Sequence, residues 1–84
     1  MGQALLATNG KALVYDGSLS IRINGEHKRV PGATTIAEMI NSLGLDPHRV
    51  AVERNLEIVP RSTFETQCVE DGDDYEIVHF VGGG

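Results

Sequence analysis

The sequence predicts an α+β fold in which one helix packs on a mixed sheet of four or five strands. Three observations lead to this prediction. An alternating segment runs into Asn24-Gly25, the strongest short-range signal for a hairpin. A single stretch with helical apolar spacing follows it, and short strand-like segments occupy the rest of the chain.

The hairpin is predicted over residues 19–30. Residues 19–24 alternate between apolar and polar side chains, which is the period of a half-buried strand. Residues 27–30 can return as the second strand after the Asn24-Gly25 turn. Pro31-Gly32 then ends that strand, because proline cannot continue a hydrogen-bonded ladder.

The helix is predicted over about residues 36–43. Thr35 and Glu38 have the spacing of a capping box, in which each side chain accepts a hydrogen bond from the other residue's backbone N–H. Gly44 is a suitable residue for the left-handed position that ends a helix. The apolar residues on one face are Ile36, Met39, Ile40 and Leu43. We expect this face to lie on the sheet.

Three further strands are predicted after the helix. Residues 50–53 form the first and end at the turn-forming pair Arg54-Asn55. Residues 57–59 form a short strand that Pro60 ends, which favours an edge position. Residues 75–81 form the last strand, with apolar side chains on both faces. Such a strand is either central and partly covered, or has one face that meets a partner.

Two minor predictions concern the segment before the last strand. Residues 62–67 have room for one helical turn, with Ser62 as its cap. Asp71, Asp73 and Asp74 surround Gly72, and we interpret them as a solvated turn.

Residues 1–18 differ from the rest of the chain. Asn9-Gly10 and Asp16-Gly17 are both turn-forming pairs, with short apolar runs before and between them. This segment is either an added hairpin, or a leader or tag. The predicted organisation is therefore an extension over 1–18, one folded domain over 19–81 and a tail over 82–84.

Size and composition exclude several classes of protein. A chain of 84 residues forms one domain with a small core, which leaves little room for the deep pocket of an enzyme. The net charge of −5 makes nucleic acid an unsuitable partner and favours a partner with a basic surface. The chain has no apolar run long enough to span a membrane and no basic leader, so we expect a cytoplasmic protein.

The side chains do not suggest a catalytic or metal site. Cys68 is the only cysteine, and we expect it to be buried or half-buried and structural. The three histidines are His27, His48 and His79, and they lack the spacing of metal ligands. His79 is predicted to be an exposed strand residue. We expect the chain to bind no cofactor itself.

The C-terminal glycines are the most informative feature. Gly82, Gly83 and Gly84 have no side chains, so this segment can thread a narrow channel. It places a backbone carboxylate at the tip of an arm, where an adenylating enzyme could activate it. The alternatives are a frayed terminus and a remnant of cloning.

A set of short motifs resembles one known family. The motifs are Ile-Asn-Gly-Glu at 23–26, Val-Ala-Val-Glu-Arg-Asn at 50–55, Ile-Val-Pro-Arg-Ser at 58–62, Asp-Gly-Asp at 71–73, Glu-Ile-Val at 76–78 and the final Gly-Gly. Their order is similar to that of the sulfur carrier protein of thiamine biosynthesis, the ThiS family, over about residues 19–84. The resemblance implies a ubiquitin-like β-grasp fold with parallel first and last strands.

The resemblance also implies a mechanism. An E1-like adenylating enzyme would activate the Gly84 carboxylate with ATP, and a persulfide that derives from a cysteine desulfurase would displace AMP. The product would be a thiocarboxylate on Gly84, from which thiazole synthase takes sulfur for the thiazole ring. Gly82 and Gly83 would thread the partner's channel, and Phe80 and Val81 would help to dock the folded body. ATP, magnesium and zinc would belong to the adenylating partner, and the chain itself would not be an enzyme.

Two features depart from the family pattern, and three other functions stay open. The first eighteen residues are extra, and Tyr75 stands where an aliphatic residue is usual. The alternative functions are a molybdopterin-type sulfur carrier, a ubiquitin-like protein modifier and a non-covalent β-grasp binding module.

Overall fold

The computed structural model describes residues 4–6, 12–14 and 17–80. Within the leading segment, strand β1 (Ala4–Leu6) pairs antiparallel with β2 (Ala12–Val14). The turn-forming pair Asn9-Gly10 lies outside the described residues. The proposed boundary between the extension and the domain stays a prediction.

The predicted hairpin consists of β3 (Ser18–Ile23) and β4 (Glu26–Pro31). Asn24 and Gly25 connect them with φ angles of 50° and 83°. Two successive positive φ angles define a type I′ turn, whose twist matches that of the flanking strands. The Asn-Gly pair therefore sets both the position and the register of the hairpin.

Helix α1 (Ile36–Ser42) begins at the predicted residue and ends one residue earlier than predicted. The predicted capping signals are present at both of its ends. The Glu38 N–H donates to Thr35 Oγ1 at 3.1 Å, and the Thr35 N–H donates to Glu38 Oε1 at 2.9 Å. Gly44 has φ 77°, and its N–H and that of Leu45 donate to carbonyls of the last turn. These bonds form a Schellman motif.

The remaining elements complete a five-stranded mixed sheet. They are a 3-10 helix (Pro47–Arg49), β5 (Val50–Arg54), β6 (Glu57–Ile58), a second 3-10 helix (Arg61–Thr63) and β7 (Asp74–His79). The strand order is β4-β3-β7-β5-β6, and β3 runs parallel to β7. The predicted α+β class, the parallel first and last strands of the domain and the edge position of β6 are confirmed.

The core lies between α1 and one face of the sheet. Ile36, Met39 and Ile40 are fully buried, and Leu43 packs at the margin, as the helical spacing predicts. The other buried apolar residues are Ile21, Ile23, Val30, Val50, Val52, Phe64, Val69, Tyr75 and Ile77. Val52 and Ile77 are opposite each other on adjacent strands, so β5 and β7 turn the same side toward α1.

Three local predictions need correction. Pro60, and not Ser62, occupies the cap position of the second 3-10 helix, and it makes no side-chain capping bond. The turn after β5 lies at Asn55-Leu56, one residue later than predicted, with φ angles of 51° and 71°. Strand β7 begins at Asp74 and ends at His79, so Phe80 follows the strand.

No helix in the described parts of the chain is long and apolar enough to cross a membrane.

Candidate functional site: the end of the last strand and the outward face of the sheet

Strand β7 leads directly to the glycine tail from the centre of the sheet. Phe80 is the last described residue; its side chain is 52% exposed, and its N–H donates to the Arg49 carbonyl at 2.8 Å. Val81, Gly82, Gly83 and Gly84 lie outside the described residues. The predictions that place docking at Val81 and chemistry at Gly84 therefore stay predictions. The structure fixes where the tail starts.

The face of the sheet opposite α1 carries exposed apolar side chains. We call it the outward face and define it by Ala51, Glu53, Ile58, Glu76 and Val78. Val78 is 57% exposed beside Ala51, and Ile58 is 79% exposed on the edge strand. Phe80 continues the same alternation. The last strand is therefore central and covered on one face only, and contact of its other face with a partner stays a prediction.

Two carboxylates interrupt this apolar surface. Glu53 and Glu76 are directly opposite each other on β5 and β7, and both are exposed. Like charges that face each other across a sheet destabilise it, so this pair has a cost in the isolated domain. A basic partner group between the two carboxylates would remove that cost. The outward face thus combines apolar surface with a local negative charge.

Asparagine side chains hold β7 on both of its sides. On the β3 side, Asn24 Oδ1 accepts the Ile77 N–H at 2.9 Å, and Asn24 Nδ2 donates to the Ile77 carbonyl at 3.2 Å. On the β5 side, Asn55 Oδ1 accepts the Asp74 N–H at 2.9 Å. Each asparagine is the first residue of a two-residue turn with positive φ. Sequence reasoning recognised both residues as turn formers but missed their contacts with the last strand.

A buried polar network lies beneath the start of β7. Asp73 is only 6% exposed, so the interpretation of this acidic segment as a solvated turn is wrong for Asp73. Its carboxylate accepts from Tyr75 Oη at 2.7 Å and from the Glu70 N–H at 2.9 Å. Asn55 Nδ2 and Arg54 Nε lie 3.2 Å from it as well. These donors replace water and make burial of the charge possible.

Other candidate groups do not form a reactive site. His79 is exposed, as predicted, whereas Cys68 is exposed and not buried or half-buried. Cys68 lies in an irregular segment beside the start of α1, joined to Thr35 by a single bridge, so little chain covers it. Among the described residues, no group of three or more His, Cys, Asp or Glu side chains is arranged to hold a metal ion.

A side-chain contact at the first 3-10 helix was not predicted. Asp46 caps the first 3-10 helix by accepting the His48 N–H at 2.9 Å, and its carboxylate lies 3.2 Å from His48 Nδ1. The hydrogen bond from the His48 backbone is the main reason that the pKa of Asp46 is lowered. Both side chains are exposed, which is consistent with a local structural role.

Comparison with known proteins agrees with this geometry. Residues 21–84 match the ThiS family. Over 65 residues the chain is 38% identical to the sulfur carrier protein ThiS of Bacillus subtilis, which covers 76% of this chain and 98% of that protein. A crystal structure of the thiamine biosynthesis protein ThiS from Geobacter metallireducens superposes with a TM-score of 0.65 at 33% identity, covering 79% of this chain and 100% of that one.

A second kind of relative is much longer. Over 66 residues the chain is 47% identical to part of the thiazole synthase of Paramagnetospirillum magneticum. The match covers 79% of this chain but only 20% of that protein, so the chain spans about a fifth of its length. The family match, which includes the helix, most of the sheet and the glycine tail, decides the assignment. This chain belongs to the ThiS family.

Proposed function

We propose that this protein is a sulfur carrier that delivers sulfur for the thiazole ring of thiamine. The observation that carries the proposal is that the match to the ThiS family extends from residue 21 through Gly84 and so includes the glycine tail. The identity to the Bacillus subtilis sulfur carrier, over nearly all of that protein, supports it. The chain then acts as a co-substrate, and its partners supply the catalytic groups.

The chemistry would take place on the Gly84 carboxylate. Attack of this carboxylate on the α-phosphorus of ATP forms an acyl adenylate and releases pyrophosphate. A persulfide then attacks the carbonyl carbon, forms an acyl disulfide and displaces AMP. A second thiol attacks the sulfur that belongs to the partner, which releases the Gly84 thiocarboxylate and leaves the partner oxidised to a disulfide. Glycines at 82 and 83 suit this role, because only backbone has to pass through the partner's channel.

The partners would be an E1-like adenylating enzyme, a persulfide donor fed by a cysteine desulfurase, and thiazole synthase. Two relatives that are named thiazole synthase contain a segment like this chain as a fifth of their length, which supports a thiazole synthase as the sulfur acceptor. ATP and magnesium, and also zinc where it is used, would be bound by the adenylating enzyme. We place these reactions in the cytoplasm.

Docking would use the outward face near Phe80. This surface lies next to the start of the tail and carries exposed apolar side chains together with the Glu53 and Glu76 carboxylates. A complementary partner surface would be apolar with basic groups around it. The net charge of −5 would speed the encounter with such a surface.

Mass spectrometry of the protein with its native C-terminus tests the proposal. After incubation with ATP, the adenylating enzyme and a persulfide donor, we expect a species in which one oxygen is replaced by sulfur. A large adduct on lysine would instead indicate a protein modifier, and an unchanged mass would indicate a non-covalent binding module. Transfer of labelled sulfur to a molybdopterin precursor, and not to thiazole, would indicate the alternative pathway.

Removal of Gly83 and Gly84 provides the matched control. We expect this truncation to abolish sulfur loading and to change the free energy of unfolding by only a few tenths of a kcal/mol, on the order of a benign surface change. The reason is that glycines have no side chains to pack. Thiocarboxylate formation by the truncated protein would contradict the proposal.

A further inference from the structure

The backbone pairing between β3 and β7 stops before the end of β7. The two strands share two residue pairs, Arg22 with Asp74 and Ile23 with Tyr75. The Asn24 N–H then donates to the Tyr75 carbonyl at 2.8 Å, and there β3 turns away into its hairpin. Without a further partner, the Ile77 peptide groups would lose the β3 side of the ladder.

The Asn24 side chain takes the place of the missing strand residue. A primary amide carries an N–H donor and a C=O acceptor, as a peptide unit does. The Asn24 amide uses its donor and its acceptor on the same residue, Ile77. Asn24 Oδ1 accepts the Ile77 N–H at 2.9 Å, and Asn24 Nδ2 donates to the Ile77 carbonyl at 3.2 Å. On the opposite side of β7, the Phe80 N–H is held by the Arg49 carbonyl at 2.8 Å. On that side β5 also pairs Ala51 with Val78 and Val50 with His79. On the β3 side, the Asn24 contacts are the last in the described part of the chain before Phe80.

We propose that Asn24 is a positioning residue that fixes the end of β7, from which the chain continues to Gly84. This inference rests on the proposed function, since it concerns delivery of the Gly84 carboxylate to the adenylating site. The glycine tail follows shortly after Phe80 in the sequence, so a change in the path of β7 changes the point from which the tail starts.

The point from which the tail starts matters for the reaction. Misplacement of a reacting group by about 1 Å can lower a rate by about a hundredfold. The partner's channel can correct part of the error by holding the glycines, so we expect a smaller loss. The loss should fall on the maximal rate of adenylation, because docking through the outward face does not involve Asn24.

Asn55 offers a matched control in the same chain. It also begins a two-residue turn, with φ 51° against 50° for Asn24, and its side chain also holds β7. Its contacts, however, are with Asp73 and Asp74 at the start of the strand, far from Phe80 along the chain. Glycine tolerates the positive φ at both positions, so Asn24→Gly and Asn55→Gly each keep the turn and remove the side-chain brace.

The experiment compares three properties of the wild type and the two variants. Hydrogen exchange followed by NMR reports the protection of the Ile77 amide. Affinity for the adenylating enzyme is measured by titration, and ATP–pyrophosphate exchange gives the maximal rate and KM. For Asn24→Gly we expect faster exchange at Ile77, unchanged affinity and a maximal rate lower by roughly tenfold. For Asn55→Gly we expect the Ile77 amide and the maximal rate to resemble those of the wild type.

Each other outcome has a definite meaning. An Asn24→Gly variant with unchanged pyrophosphate exchange, beside an active wild type, would overturn the positioning role. An equal loss of rate in Asn24→Gly and Asn55→Gly would also overturn it, because a general loss of stability would then explain both. A wild type that supports no pyrophosphate exchange would overturn the proposed function, while Ile77 protection would still report on the brace itself.

A second substitution keeps the test decisive if Asn24→Gly does not fold. Asn24→Asp tolerates positive φ and retains the acceptor for the Ile77 N–H, but it replaces the donor with a carboxylate oxygen beside the Ile77 carbonyl. We expect its maximal rate to fall as well, with affinity unchanged. A rate equal to that of the wild type would contradict the proposal.

Discussion

The Tyr75 hydroxyl lies in the core and donates a hydrogen bond there. It donates to Asp73 Oδ2 at 2.7 Å, and the ring is fully buried. Burial, and then the hydrogen bond to Asp73, raise the pKa of Tyr75 well above its usual value near 10. The phenol therefore stays protonated in the folded protein at a pH at which it ionises in the unfolded chain. Stability from this group is fully present below pH 10 and is lost as the pH rises further.

Substitution Tyr75→Phe tests this account. At pH 7 we expect a loss of about 1 kcal/mol in the free energy of unfolding, because one hydrogen bond disappears while Asp73 retains its other donors. Above pH 10 the wild type should lose up to about 1.4 kcal/mol per pH unit through Tyr75, and the variant should lack this component. Urea unfolding at pH 7 and between pH 9.5 and 11 would measure both, at about half-unit steps. Parallel pH profiles for the two proteins would contradict the assigned role.

The surroundings of Asp73 could not be predicted from its neighbours in sequence. Two of its partners are Arg54, at the end of β5, and Asn55, in the turn that follows, and only the folded sheet brings them to it. An acidic segment around a glycine has the composition of a solvated turn whether or not such partners exist. The same limit applies to Cys68, because its exposure depends on which segments cover residues 67–70.

The helix is the element that local sequence determines most fully. Thr35 and Glu38 make both bonds of the capping box, and Gly44 accepts the left-handed conformation at the other end. These signals act between residues three or four positions apart, so the sequence alone predicts them. The second 3-10 helix lacks such a signal, since Pro60 has no side-chain acceptor, and the capping role predicted for Ser62 is wrong.

Met39 tests the packing of this helix on the sheet. It is fully buried with Ile36 and Ile40, so Met39→Ala should lower the free energy of unfolding by about 2–4 kcal/mol through the cavity it leaves. Asn41→Ala, an exposed change on the same helix, is the control and should have an effect within about 0.5 kcal/mol. Urea unfolding compares the two. Similar stability of both variants would show that this face of the helix is not buried.

The two hairpin turns of the sheet differ in one residue. Both place their second residue at positive φ, but one uses Gly25 at 83° and the other Leu56 at 71°. A leucine in this conformation is strained, and its side chain is 88% exposed, so packing does not compensate for the strain. The position of this turn was mispredicted because leucine gives no turn signal.

Substitution Leu56→Gly should therefore stabilise the domain. The relief of strain is partly offset by the greater freedom of glycine in the unfolded chain, which leaves a gain of about 0.5–1 kcal/mol. Thermal unfolding of the variant beside the wild type would show it as a higher Tm. A lower Tm would mean that the Leu56 side chain makes stabilising contacts that its exposure does not suggest.

At the scale of the whole molecule, the sheet separates two tasks. One face, together with α1, forms the core, and the other stays uncovered although it carries Val78 and Ile58. Strand β7 belongs to both faces and continues into the tail. The fold therefore places the proposed docking surface beside the start of the tail, and this juxtaposition follows from the parallel pairing of β3 with β7 at the centre of the sheet.

This arrangement predicts that docking is centred near the start of the tail and not on the whole outward face. Phe80→Asp should weaken binding to the adenylating enzyme by at least about tenfold, because a large exposed ring next to the tail would be covered in the complex. Ile58→Asp is the matched control, since it introduces the same charge on the same face but at the edge strand. Both side chains are exposed, so neither change should alter the free energy of unfolding by more than about 0.5 kcal/mol. Titration of the two variants against the partner decides the point: equal losses would extend the docking surface across the sheet, and no loss for Phe80→Asp would place recognition in the tail itself.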